Sequence, residues 1–244
     1  PAGSRDLNQL CFSSTGTLAQ VIKDARDWFG NGRLTAGAMA NAEFYGIGPR
    51  DVWLYTCACE GCRKGYEELA GTNWPHGFST GRGSEILYAF VNKVQEAIDQ
   101  SHPGGRVGVF NYMDYCYYPK TVQLNTNIYI GFAECFGTVA PYDRNLMLSA
   151  YGTWRTKMPG RNQLCVWRYD GWNWELIEGG GSKPFPMWYP YVLAEDIRMY
   201  AKDGVRGLFY CGISPYFDGW LSLKLLDEPQ LDVDAELDYF FRNY

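Results

Sequence analysis

Six apolar runs alternating with helix-like stretches constrain this chain more than any other feature. The runs are residues 7–13, 43–47, 106–112, 127–132, 163–169 and 206–211. They are apolar at successive positions, as strands buried on both faces are. Stretches with helical spacing lie at 18–29, 84–100, 142–157 and 191–202, and two more, 220–226 and 234–242, follow the last run. Ser13, Ser14, Thr15 and Thr17 offer caps for the first helix and Gly30–Gly32 stops it. Residues 63–83 read as a long polar connection. Strands alternating with helices predict βαβ units and a parallel sheet.

Two α/β folds compete for this pattern. A doubly wound sheet would bind its ligand on a Gly-rich phosphate turn. No G-x-G-x-x-G follows any run and there is no P-loop, so no cofactor is implied. A (β/α)8 TIM-type barrel carries its functional residues where strands end. Asp51, Asp114, Glu134 and Asp170 all follow closely on a run. The barrel is the better reading, as a single partial domain over 1–244. Six runs leave it two strands short, so the first one or two βα units are expected in sequence preceding Pro1.

Carboxylates brought to one barrel face suit glycoside hydrolysis, where one protonates the leaving oxygen and another acts as base or nucleophile. Asp51, Glu134 and Asp170 are the candidate catalytic residues. Tyr112, Asp114, Trp167, Tyr169, Trp172 and Trp174 are the candidate substrate-binding residues, together with Tyr115 as a further stacking ring. Aromatics make up 17% of the chain, enough to line a sugar cleft as well as fill a core. Nucleophilic triads fare worse, because only His76 and His102 are present and no G-x-S-x-G occurs.

The net charge of −5 and the lack of a Lys/Arg run argue against nucleic acid. No apolar run is long enough for a membrane span. Eight cysteines are too few for a disulfide scaffold of this size. Cys11, Cys135, Cys165 and Cys211 lie in or beside apolar runs and read as small buried hydrophobes. Cys57, Cys59 and Cys62 sit in a loop, and their spacing leaves metal binding, a disulfide to a distant partner and simple packing all open. A four-thiol zinc site needs a fourth ligand, and the sequence holds no second Cys-x-x-Cys.

The order Asp51, Cys57-x-Cys59-x-x-Cys62, Phe90-Val-Asn-Lys-Val-Gln-Glu-Ala97 and Gly108-Val-Phe-Asn-Tyr112 resembles a bacterial family of glycoside-hydrolase-like barrels. That family is known only as a domain of unknown function with a Cys-x-Cys-x-x-Cys loop. It is similar in architecture to α-glucuronidases and hexosaminidases, and one branch includes endo-β-N-acetylglucosaminidases. Val166-Trp-Arg-Tyr-Asp170, Asp196-Ile-Arg-Met-Tyr200, Gly204-Val-Arg-Gly207 and the Leu-rich segment 221–244 continue the likeness. Arg50-Asp51 stands where the family has Asn-Asp, and Val52-Trp53-Leu54 replaces its Gly-rich turn. The resemblance implies a secreted or periplasmic hydrolase of a complex glycan that contains amino-sugar or uronic-acid units. The alternative is a non-catalytic carbohydrate-binding barrel, and the expected partner in both cases is an oligosaccharide or polysaccharide.

Overall fold

Each apolar run from residue 43 onward becomes a strand, and all of them enter one sheet. The computed structural model describes residues 10–35, 38–40, 43–49, 57–70, 81–134, 141–158, 163–169, 189–211 and 217–244. The strands are β1 (Met39–Ala40), β2 (Phe44–Ile47), β3 (Arg106–Asn111), β4 (Tyr129–Glu134), β5 (Leu164–Arg168) and β6 (Leu208–Tyr210). Their spatial order is their chain order. β1 pairs antiparallel with β2, and every later pair is parallel. The sheet therefore has five parallel strands and a short antiparallel edge, and no strand order reverses among the described residues. β1 is too short to be seen in the sequence.

The described residues form seven helices: α1 (Thr15–Asn31), α2 (Glu60–Ala70), α3 (Ser84–Ser101), α4 (Pro141–Lys157), α5 (Pro190–Asp203), α6 (Phe217–Asp227) and α7 (Val233–Asn243). Ser14 caps α1 by accepting from the Thr17 amide at 3.2 Å. Gly32 and Gly204 end α1 and α5 with φ of 70° and 71°, the left-handed turn that a side chain would strain. Two expectations change here. Residues 10–13 form a turn rather than a strand, while 7–9 lie outside the described residues. The polar connection at 63–83 begins inside α2. Gly61 and Gly65 hid that helix, yet Gly65 is there for packing: a Cβ on it would come within 3.2 Å of Ile86 on α3.

Alternation along the strands gives the sheet two faces. Ile47, Val107, Val109, Ile130, Phe132, Leu164 and Val166 point to the helices and are buried. They meet Leu87, Val91, Val94 and Ile98 of α3 and Met147, Tyr151 and Trp154 of α4 in one core. Each such side chain is worth about 1.5–3 kcal/mol when removed from water. A smaller core joins α5, α6 and α7 through Leu193, Ile197, Phe217, Leu221, Leu225 and Val233.

The helix α3 also fixes the long link from β3 to β4. Glu85, Asn92 and Asp99 recur at sevens, so they share one face. Glu85 accepts from Thr121 Oγ1 at 2.6 Å, Asn92 binds Gln123 O and the Asn125 amide, and Asp99 accepts from the Asn125 and Asn127 side chains. On a neighbouring face Gln95 accepts from the Val107 amide at 2.7 Å and so sets the start of β3.

Candidate functional site

The parallel strands bring their C-terminal ends to one edge of the sheet. There β4 and β5 close with the cross-strand pair Glu134 and Arg168. By alternation both point to the helices, with Phe132 and Val166. Arg168 is 0% exposed and Glu134 3%. Arg168 Nη1 lies 2.9 Å from Glu134 Oε2 and 3.3 Å from Asp196 Oδ2 on α5. Arg144 of α4 grips the same Asp196 with two bonds, of 2.7 and 3.2 Å. Tyr200 donates to Glu134 Oε2 at 3.1 Å. Burial, reinforced by the Glu134 charge, raises the Tyr200 hydroxyl well above its ordinary pKa, so it remains a donor. Arg168, Glu134 and Asp196 are thus paired out of water, and the half-buried Arg144, which also reaches the exposed Glu195 at 3.7 Å, links them to the surface. Such a cluster ties α4, α5 and the strand ends together, and removal of one member leaves a buried charge uncompensated.

The opposite face is paved with rings. Phe110 and Trp167 meet at a centroid distance of 4.5 Å, and Trp167 stacks on Phe209 at 3.9 Å. Tyr112 stacks on Phe110 at 5.4 Å and on Tyr169 at 6.4 Å. Phe110 is on β3 and Trp167 on β5, with β4 between them. Between them β4 presents Gly131, which pairs with Phe110; a Cβ on it would just touch that ring, at 3.4 Å. One strand over the glycine is required: Phe44 of β2 reaches Tyr129 of β4 at 5.8 Å across Gly108 of β3, where a Cβ would stand 2.7 Å from the Phe44 ring. Phe209, at the β6 edge, is 52% exposed. Trp167 Nε1 finds no acceptor among the described residues.

The candidates from sequence therefore part company. Tyr112, Trp167 and Tyr169 come together on the ring-bearing face. Glu134 lies on the covered face. Asp114 follows β3 in a single 3-10 turn, Met113–Tyr115, buried, and accepts from Tyr66 of α2 at 3.0 Å. Tyr115 is a buried core residue whose carbonyl accepts from Tyr88. Asp51, Asp170, Trp172 and Trp174 lie outside the described residues, as does Cys135. Arg168, Asp196 and Tyr200 escaped notice as a unit. Their one signal is an arginine inside an apolar run, which calls for a buried anion.

A third group assembles beside the start of α2. Cys11 Sγ is 3.4 Å from Cys59 Sγ and 3.8 Å from Cys62 Sγ, and Cys57 Sγ is 3.6 Å from Cys59 Sγ. All four sulfurs lie within 4.8 Å of one another. Cys11 is thus half-buried among thiols rather than a core hydrophobe, and Cys165 and Cys211 are also only half-buried. The Ser13 hydroxyl holds the Cys59 thiol down to about 6, while burial pushes Cys57 up to about 12.

A protein-family model matches residues 1–244, spanning the sheet, both faces and the thiol group. The chain belongs to the family described as a domain of unknown function, DUF4838. No curated protein and no solved structure matches it. The family's description carries no activity, so a functional reading of this member rests on its own geometry.

Proposed function

We propose that the chain forms an arc of a (β/α)8-type barrel and acts as a glycoside hydrolase on a complex glycan with amino-sugar or uronic-acid units. The sequential order of parallel strands supports the barrel, since a doubly wound sheet reverses direction at a switch point. The observation that carries the glycan reading is the ring-paved face of Phe110, Tyr112, Trp167, Tyr169 and Phe209. A sugar lays its C–H face on the electron-rich face of such rings. Asp51 and Asp170 follow β2 and β5 in the sequence, and those strands end at the same edge. In this reading Asp51 and Asp170 are the acid and its partner, and Glu134 holds the strand ends from behind.

The test incubates the full chain with glycans of several classes and measures binding and product release. Wild type is expected to bind and cleave one class. Asp51→Asn and Asp170→Asn each keep binding and lose turnover, and Trp167→Ala loses binding. Full turnover in both Asn variants would remove the assignment of the two carboxylates, and no binding to any glycan would remove the whole reading.

A second reading, glycan binding without hydrolysis, has an observation of its own. Glu134 and Asp114 are held in buried contacts with Arg168 and Tyr66. Binding by wild type with no released product from any bound glycan selects it.

A further inference from the structure

We propose that Cys11, Cys57, Cys59 and Cys62 bind one zinc ion as four thiolates, a structural site that fastens the turn before α1 to the start of α2. The ligand that the Cys-x-Cys-x-x-Cys spacing lacks is supplied by Cys11, 48 residues before Cys59.

The geometry is that of a tetrahedron. A zinc–thiolate bond of about 2.3 Å places the sulfurs of a regular tetrahedral site about 3.8 Å apart. Three of the sulfur pairs stand at 3.4, 3.6 and 3.8 Å, and none of the remaining pairs exceeds 4.8 Å. A disulfide needs about 2.05 Å between sulfurs. A polynuclear iron–sulfur cluster inserts several irons and sulfides and needs its cysteines farther apart. One tetrahedral ion of a thiophilic metal remains, and four thiolates with no open position are the donor set of a closed structural zinc site.

The surroundings suit four thiolates. Ser13 Oγ lies 3.1 Å from Cys59 Sγ and 3.5 Å from Cys11 Sγ and accepts from Cys62 Sγ at 3.3 Å, so its single O–H is in reach of a sulfur that becomes a thiolate. The Cys62 amide, in the first turn of α2, donates to Cys59 Sγ at 3.4 Å. The positive end of a helix favours the net negative charge of such a site. Gly61 makes the approach possible: a Cβ there would sit 2.7 Å from Ser13 Oγ and 2.8 Å from Ser13 Cβ. These features hold two distant stretches of chain together around the sulfurs, which packing alone does not require.

Elemental analysis of the full chain, purified under reducing conditions without chelator, is expected to give one zinc per chain and no iron. Cobalt(II) loading of the zinc-stripped protein is expected to give thiolate-to-cobalt charge-transfer and tetrahedral d–d absorption, bleached by zinc. Cys11→Ser and Cys59→Ser are each expected to lower zinc content at least tenfold, while Cys165→Ser leaves it unchanged. The cobalt spectrum of the unsubstituted chain decides the matter even where a serine variant does not fold. Absence of both retained zinc and the cobalt spectrum overturns the site. So does stoichiometric iron, and so do disulfides among these four cysteines in freshly purified protein, read by mass spectrometry.

Discussion

On the helix-covered face, β4 and β5 end in Glu134 and Arg168; one residue earlier, on the other face, they carry Ala133 and Trp167. The first face has charges that water does not reach, and the second has rings left half-covered. In most cores the assignment runs the other way, with rings inside and charges out. Balanced charges packed between α4, α5 and two strand ends fix how those elements meet. Phe110, Trp167 and Phe209 instead pack ring on ring across β3, β5 and β6. The difference teaches that, here, ionisable groups tie the sheet to its helices while the rings pack mainly on one another across the strands.

The comparison breaks first where it is strongest. Arg168→Met should cost about 3–5 kcal/mol, because Glu134 and Asp196 remain buried without their shared cation. Urea unfolding measures this, and a near-neutral change would mean the covered face is not held by charge. Glu134→Gln keeps an acceptor for Tyr200 but loses the ion pair, for about 1.5–3 kcal/mol in the same assay. A variant of Glu134 that lost glycan turnover at unchanged stability would move that residue to the presenting side. On the ring face, Gly131→Val should cost about 1–3 kcal/mol by displacing Phe110 from Trp167. Its sharper readout is a changed Trp fluorescence together with loss of sugar binding. Phe209→Ser should be the mildest, within about 0.5 kcal/mol for an exposed side chain. Its effect should appear as weakened glycan affinity in calorimetry, with the unfolding midpoint unmoved.

Much of the fold was legible. The runs at 43–47, 106–112, 127–132, 163–169 and 206–211 are β2 to β6, and the expected helices match α1 and α3 to α7 within a few residues. Long elements with strong periodicity outweigh their ends. The misses have physical reasons. α2 carries Gly61 and Gly65, both placed for close approach rather than for helix propensity. The run at 7–13 has a strand's composition, yet Cys11 and Phe12 lie in a turn, Cys11 drawn to the other thiols and Phe12 into the core against Phe90. The face on which Glu134 lies was not legible, because a strand that is apolar at every position offers no alternation by which to tell its two sides. The gathering of Cys11 with Cys57, Cys59 and Cys62 needed the path of α1 and α2, which no spacing encodes.

The unbroken strand order has a consequence for how the chain comes into being. From β3 onward, the neighbour of each strand has already left the ribosome, so the sheet can grow at one edge during synthesis. A doubly wound sheet must instead add strands to both sides of its first one. A stalled or shortened product of this chain would therefore end in a usable edge, ready for the next strand and, equally, for a strand of another molecule.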